Sequence, residues 1–328
     1  MEKIDFVITW VNGSDPKWRE ERSKFVTEEE RKKDDVAGDK RYKDNGLLRY
    51  WFRGVEKFAP WVNKIYFVTW GHIPEWLDTS NEKLVIVKHS DFLKPEYTPT
   101  FNSACLNLNL HRIKGLSEQF VYFNDDMFLL RPVKETLFFK KGLPRDMAVE
   151  DVIPAKEGAA FWHMIYNDII LTNKNYNKKL AKKGNFFKWY NFSYGRQMMK
   201  NVFLSKIAML VGIYETHLPA GYLKSMYEKI WERDFETLDK VCRHKFRTHQ
   251  GNSENYIRYC TLMEGKFYPL NKMKHGRYCS MTASRLEGYI TSGKFDYVCI
   301  NDEVEGAKYN QTVSAFETIL PEKSGFEI

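Results

Sequence analysis

The chain has no hydrophobic run long enough to cross a bilayer. Its longest apolar stretch, at residues 207–214, is about eight residues, against the roughly 18 that a span needs. The opening Met-Glu-Lys-Ile-Asp leads straight into a strand-like run and lacks the basic, apolar, small-residue order of a secretory signal. Cysteine is scarce: Cys105, Cys242, Cys260, Cys279 and Cys299 form an odd set without CxxC spacing, which favours free thiols in a reducing compartment over a disulfide framework. With only 11 Pro and 19 Gly in 328 residues, collagen-like and low-complexity chains are excluded. There is no GxSxG elbow, Walker A loop, GxGxxG fingerprint or HExxH pair, so hydrolase, P-loop, dinucleotide and zincin readings lose their usual support. A cytoplasmic α/β protein is expected.

One further absence is local. Residues 169–214 hold no Asp or Glu, yet carry nine of the chain's cations: Lys174, Lys178, Lys179, Lys182, Lys183, Lys188, Arg196, Lys200 and Lys206. The formal net charge is +8, so this one segment accounts for the whole excess. Phe186, Phe187, Trp189, Tyr190, Phe192 and Tyr194 are interleaved with those charges. Cations beside amphipathic aromatics suit an anionic membrane surface or a polyanionic partner. The competing reading is a solvated helix face over an aromatic core. No nucleic-acid module accompanies the patch, so nucleic acid is not an expected partner.

What is present is an alternation of strands and helices. Residues 4–10 (IDFVITW), 64–69 (KIYFVT), Leu84–Lys88 and Gln119–Asn124 read as β-strands. Asp44 or Asn45 is placed to cap a helix in which Leu47, Trp51, Val55 and Phe58 recur at helical spacing. Residues 102–114 are helical in pattern, residues 19–43 read as a mobile, charge-dense surface excursion, and residues 150–265 read as mainly helical. A late strand at 296–300 (DYVCI) would return to the sheet. The expected fold is therefore α/β with a mainly parallel sheet and a largely helical second half. One integrated unit is expected: a core over 1–135, a helical acceptor- or membrane-facing region over 150–265, and a returning strand and tail over 290–328.

Polar residues cluster just beyond the strand ends: Asn12 to Asp15, Gly71 and His72, Ser90 and Asp91, and Asn124 to Asp126. In open α/β sheets, ligands bind in the crevice outside those carboxyl ends. Asp125 and Asp126 adjoin apolar neighbours, and two such carboxylates repel unless a cation sits between them. Hard oxygen ligands of this kind suit Mg²⁺ or Mn²⁺. Arg49 and Arg53 share a helix face, with Arg41 just before it, and guanidinium groups grip phosphate in bidentate fashion. Surface salt bridging is the plain alternative. His217, Arg247 and Glu254 stand in THLP and FRTHQGNSEN, where a structural histidine and surface charge are the ordinary readings.

The longer motifs carry more. IDFVITWVNGSDP, RYKDNGLLRYWFRGVEKFAPWVNKIYFVTWGHIPEWL and TPTFNSACLNLNLHRIKGLSEQFVYFNDDMFLL resemble the first two conserved regions of the Stealth family. ETHLPAGYLKSMYEKIWE through FRTHQGNSENYIRYC resembles the third, and FDYVCINDEVEG the fourth. That family comprises bacterial capsular and exopolysaccharide sugar-phosphate transferases and the eukaryotic N-acetylglucosamine-1-phosphotransferase catalytic subunit. The resemblance implies a GT-A-like core, a nucleotide-sugar donor such as a UDP-sugar, and transfer of a hexose 1-phosphate to a glycan or lipid-linked glycan hydroxyl, with release of UMP. It further implies that Asp126, His217 and Arg247 are catalytic, and that Asp125, Asp126 and Asp302 hold the metal. Trp10, Asn12, Gly13 and Asp15 would lie at the nucleotide, with Arg41, Asn45, Arg49, Asn124 and Glu254 on substrate. Gly46 departs from the pattern, as does the spacing after Arg247, which weakens the role of Glu254. Either His217 or Asp126 could serve as the base. The enzyme would be cytoplasmic, peripheral on the inner membrane leaflet. The rivals are a metal-dependent glycosyltransferase releasing UDP and a non-catalytic glycan-binding protein.

Overall fold

In the computed structural model, residues 2–28, 36–154, 160–301 and 306–328 are described. Its centre is a five-stranded sheet in the order β3-β2-β1-β4-β8, built from β1 (Ile4–Thr9), β2 (Ile65–Thr69), β3 (Leu84–Lys88), β4 (Gln119–Asn124) and β8 (Ala220–Leu223). The first four strands are parallel and β8 pairs antiparallel with β4. Runs such as IDFVIT and IYFVT are buried on both faces, as parallel strands under helices must be. The α/β architecture expected from the alternation is therefore present.

One charge interrupts β1. Asp5 is fully buried, and its carboxylate accepts from Asn63 Nδ2 at 2.7 Å and from the Ser117 amide at 2.7 Å. It ties together the loops at the edge opposite the strand ends that face the cleft, which is a structural task.

Two small sheets flank the centre. β5 (Met127–Leu129) pairs antiparallel with β11 (Tyr297–Asn301), which pairs parallel with β10 (Gly276–Ser280). β7 (Leu143–Asp146) joins β6 (Phe139–Lys140) to β9 (Tyr268–Pro269). The late strand thus does not return to the main sheet. It pairs with the short strand that follows the Asn124–Asp126 turn, and the Ile300 amide donates to the Asp126 carbonyl at 2.8 Å.

The helices used below are α1 (Pro16–Ser23), α2 (Leu48–Phe58), α3 (Ser103–Leu108), α4 (Ala160–Asn175), α5 (Lys178–Gly184), α6 (Met198–Phe203), α7 (Lys224–Arg243), α8 (Asn255–Met263) and α9 (Ala307–Ile319), beside shorter ones such as Leu286–Thr291. Residues 19–43 are not a bare excursion where they are described. Asp15 caps α1 by accepting from the Trp18 amide at 2.9 Å, and Trp18 and Arg22 are buried with Tyr42 and Phe101. The charge density concealed one tryptophan and one arginine that pack together, the Arg22 guanidinium lying over the rings of Trp18 and Tyr42. Helix α2 starts at Leu48 rather than at the expected cap, because Asp44 accepts from the Gly46 amide in a turn and Gly46 has φ +69°.

Helix α2 is buried over most of its surface, Arg53 included, because it is sandwiched. Trp51 meets Phe123 of the sheet edge-on at 5.5 Å, while Tyr50 stacks on Phe316 of α9 at 5.2 Å. Arg53 is buried in this sandwich, bonding both Glu327 carboxylate oxygens at 2.7 and 2.9 Å and the Leu320 carbonyl. It fastens the C-terminal tail.

A buried ion network holds β7 against α8. Arg258 donates to Asp146 at 2.7 and 3.1 Å and to Glu215 at 3.0 Å. Burial by itself would raise the Asp146 carboxyl, but Arg258 and Lys272 outweigh it and hold it down at about 2. An unfolded Asp titrates near 3.9, so this contribution, about 2–3 kcal/mol, is complete above that pH and is lost as pH falls through about 2. Urea midpoints should therefore drop as pH falls from about 4 to about 2, and Asp146→Asn should flatten that fall. An unchanged slope in the variant would refute the assignment.

Candidate active site

The carboxyl ends of β1, β3 and β4 open onto a cleft of ≈ 1100 Å³. Thr9, Trp10 and Val11 come from β1 and its exit, His89 follows β3, and Asn124, Asp125 and Asp126 end β4. The crevice anticipated beyond the strand ends is there. Two chains of loop complete it: Arg41 to Asn45 before α2, and Tyr214 to His217 before β8. Phe161 and Trp162, in the first turn of α4, close one wall.

At the floor, Asp126 Oδ2 lies 3.6 Å from His217 Nε2. Asp126 Oδ1 is buried with no hydrogen-bond partner, an acceptor aimed at something that the protein does not provide. His217 adopts φ +45°, the left-handed region that a residue with a Cβ seldom enters, at a cost of about 1–3 kcal/mol. Its ring is also met edge-on by Tyr278 at 5.4 Å and lies 3.5 Å from Asn124 Nδ2. The Tyr122 hydroxyl donates to Asn124 Oδ1 at 2.6 Å, which orients that amide toward the histidine. Burial pulls the His217 imidazole down, but Asp126, then Glu254 and Glu215, outweigh it and the net shift is upward. Asp125 is pushed up to about 8, first by burial and then by its neighbours Asp126 and Asp44.

Behind His217 a smaller chamber of ≈ 100 Å³ shares Tyr122, Asn124, His217 and Arg247 with the cleft. Glu254 and the Arg258 side of the buried ion network line it. Arg247 is held by Ser103 at the start of α3, donating from Nε at 2.9 Å. The loop bearing Arg247 and Glu254 is moored from below by Asp168, which is fully buried and accepts from Asn252 Nδ2 at 2.8 Å and Ser253 Oγ at 2.6 Å.

Asp125, Asp126, Asn124, His217, Arg247, Arg41, Asn45 and Trp10 thus come together on one cleft from five separate stretches of chain. Glu254 faces the chamber alone. Asn12, Gly13 and Asp15 shape the loop without lining the cleft. The Asn12 amide donates to His72 Nε2 at 2.8 Å, and Asp15 caps α1. A Cβ on Gly13 would fall 2.3 Å from the Tyr42 carbonyl, so that close approach requires glycine. Arg49 does not line the cleft either, and its guanidinium lies 5.5 Å over the Trp76 ring. Asp302 lies outside the described residues.

The donor set bears on a metal. Asp126, His217 and Cys299 place one ligand atom each within 4.8 Å of one another. Burial and Asp126 push the Cys299 thiol far up, so it stays protonated and is a poor partner for a hard cation. The orphaned Asp126 oxygen and the raised Asp125 carboxyl, by contrast, fit a hard divalent ion that also binds phosphate oxygens.

Comparison with known proteins shows the family. Residues 2–29 match Stealth protein CR1, conserved region 1, and residues 41–146 match Stealth protein CR2, conserved region 2. The chain is 38% identical over 332 residues to a capsular polysaccharide phosphotransferase, WcwK, of Streptococcus pneumoniae, covering 100% of this chain and 98% of that protein. The chain belongs to the Stealth family of polysaccharide phosphotransferases. It is a phosphotransferase enzyme. An exopolysaccharide phosphotransferase, cps2G, of Lactiplantibacillus plantarum is 36% identical over 330 residues, covering 99% of this chain and 96% of that one. The apo structure of the WbbM bifunctional glycosyltransferase aligns with a TM-score of 0.39 at 8% identity, covering 97% of this chain and 50% of that chain, too loosely to carry an argument.

Within this Stealth chain, the first matched region supplies the β1 exit and the second supplies Arg41, Asn45 and the Asp125-Asp126 turn. Several residues at or beside the site escaped sequence reasoning. Cys299 read as one of five unremarkable thiols, and Glu215 stood unweighed two residues before His217. Phe161 and Trp162 gave no signal, because an aromatic pair at a helix start reads as core.

Proposed function

We propose that this enzyme transfers a hexose 1-phosphate from a UDP-sugar to a hydroxyl of a glycan or lipid-linked glycan, releasing UMP, in capsule or exopolysaccharide synthesis. The observation that carries the reading is the cleft floor, where paired carboxylates, a strained histidine and the Arg247 guanidinium face one space. The named relatives, phosphotransferases of capsular and exopolysaccharides, support the same reading.

The acceptor oxygen attacks the phosphorus that bears the sugar, a new P–O bond forms, and the bond to the UMP oxygen breaks. The proton of the acceptor hydroxyl passes to the Asp126–His217 pair. Such transfer relies on positioning and charge neutralisation more than on covalent chemistry from the protein. Arg247 and Arg41 hold phosphate oxygens, and Asn124 steadies the His217 ring. Mg²⁺ or Mn²⁺ held by Asp125 and Asp126 would supply charge neutralisation at the diphosphate. A lipid-linked acceptor would bring the enzyme to the inner leaflet as a peripheral protein.

The deciding experiment incubates the protein with a panel of UDP-sugars, Mg²⁺ and glycan acceptors. UMP and a phosphodiester phosphorus signal are expected. UDP with no phosphodiester would replace this reading with ordinary glycosyl transfer.

Arg247→Ala should raise the donor KM by about 10–100-fold, because a charge-assisted contact to phosphate contributes about 1.5–3 kcal/mol. Arg247→Lys should recover part of it. Donor KM unchanged in Arg247→Ala would remove the residue from the phosphate site.

A further inference from the structure

The acid-free segment divides into an inward and an outward half. Lys178 and Lys182 are buried and both bind Glu150, at 2.7 and 2.6 Å, while Trp189 and Tyr194 fill a core. What remains outside is unusually apolar. Phe192 is 89% exposed, Phe187 81%, Phe203 73% and Leu180 69%. Isolated exposed apolar residues are ordinary, but a run of large ones within one helical region marks an interaction surface.

These residues belong to one packed unit. The inward face of α5 bonds α6, with Lys178 Nζ donating to the Leu204 carbonyl at 2.8 Å and Lys182 Nζ to the Asn201 carbonyl at 3.4 Å. Leu180 stands on the side of α5 opposite those lysines, and Met199, Val202 and Phe203 form an exposed stripe on α6. Beside them Lys174, Lys179, Lys183, Arg196 and Lys206 are exposed, with no acid in the same stretch of sequence.

We propose that this face docks on a phospholipid bilayer that carries anionic headgroups. The exposed charges of the segment itself are all positive, with Lys200 answered by Asp151 at 2.8 Å, the cations have long apolar stems, and exposed aromatics stand among them, which together match a headgroup layer over acyl chains. A protein partner or a second copy of the chain would more often be met by charges of both signs.

Helix α4 connects this face to the chemistry. Its first turn supplies Phe161 and Trp162 to the cleft wall, and Tyr166 and Ile170, both exposed and four apart, begin the apolar face. At 1.5 Å per residue, Ile170 is about 14 Å along the helix from Phe161. A docked enzyme would thus offer its cleft to an acceptor whose lipid stays in the membrane. Only that last use rests on the proposed reaction, and the docking itself does not.

The test is sedimentation of the full chain with phosphatidylcholine vesicles with and without phosphatidylglycerol. Binding is expected only with phosphatidylglycerol, and weaker at high salt. Two triple variants separate the contributions, Lys179→Glu/Lys183→Glu/Arg196→Glu and Phe187→Ser/Phe192→Ser/Phe203→Ser. Each should lower vesicle affinity by at least about tenfold, with an unchanged melting curve and unchanged turnover of a soluble acceptor. The proposal is overturned if the parent chain ignores anionic vesicles or if both variants still sediment with them. It is equally overturned if light scattering finds a dimer that the serine variant dissociates without any vesicle binding. Loss of UMP release in the product assay would leave the vesicle result standing, so the two failures are distinguishable.

Discussion

Asp126→Asn is expected to reduce UMP release by about 10³-fold or more, on the scale of losing a group that handles a proton and stabilises charge at the reacting centre. The substitution keeps the side chain's volume and removes only its charge. Folding should survive, because the charge lost is one that stands against Asp125, whose carboxyl Asp126 helps to push up. Because burial already holds Asp125 protonated near neutral pH, that opposition is weak and the melting temperature should shift little. Initial rates and a thermal melt on the same preparation check both halves. Retained activity above a few per cent would remove Asp126 from the reaction, and a collapsed melt would make it structural.

The second large effect lies away from the chemistry. Glu150→Ala should cost about 3–5 kcal/mol, because it strands the buried ammonium groups of Lys178 and Lys182 in a site sealed from water. Glu150 is wholly buried, and its amide donates to Asn201 Oδ1 at 2.7 Å, so it joins three parts of the helical region. Replacing all three charges with apolar residues of similar volume should restore most of the loss, since the expense lies in the unpaired charge. Urea unfolding of the single and triple variants measures this. A single variant within about 1 kcal/mol of the parent would show that water reaches the lysines and that the site is not closed.

These two cases mark where sequence reasoning succeeded and where it failed. The four parallel strands were legible because β-branched and aromatic runs buried on both faces have no other common use, whereas β8, a four-residue strand within the stretch read as mainly helical, was not. Asp125 and Asp126 were legible as residues of the cleft because adjacent acids among apolar residues need a reason to be there. Lys178 and Lys182 were not legible. On charge alone they belong to the surface, and the Glu150 that turns them inward lies some thirty residues away. Arg49 and Arg53 failed differently. Helical spacing correctly put them on one helix, but spacing does not say what the helix faces, and here Glu327 and Trp76 receive them.

The sequence by itself determined the α/β class, the parallel strands with a cleft at their carboxyl ends, the acidic turn and, through long ordered motifs, the family. Local pattern is sufficient for those, because period, turn chemistry and motif are properties of neighbours along the chain. Only the tertiary structure decided that His217 meets Asp126, that Cys299 and Glu215 stand beside them, and that Asn12, Gly13 and Asp15 build a loop instead of lining the cleft. It alone decided which cations are neutralised inside and which remain outside. Those outcomes depend on contacts between residues dozens to hundreds of positions apart, and burial and charge pairing are set by the neighbours that folding brings together.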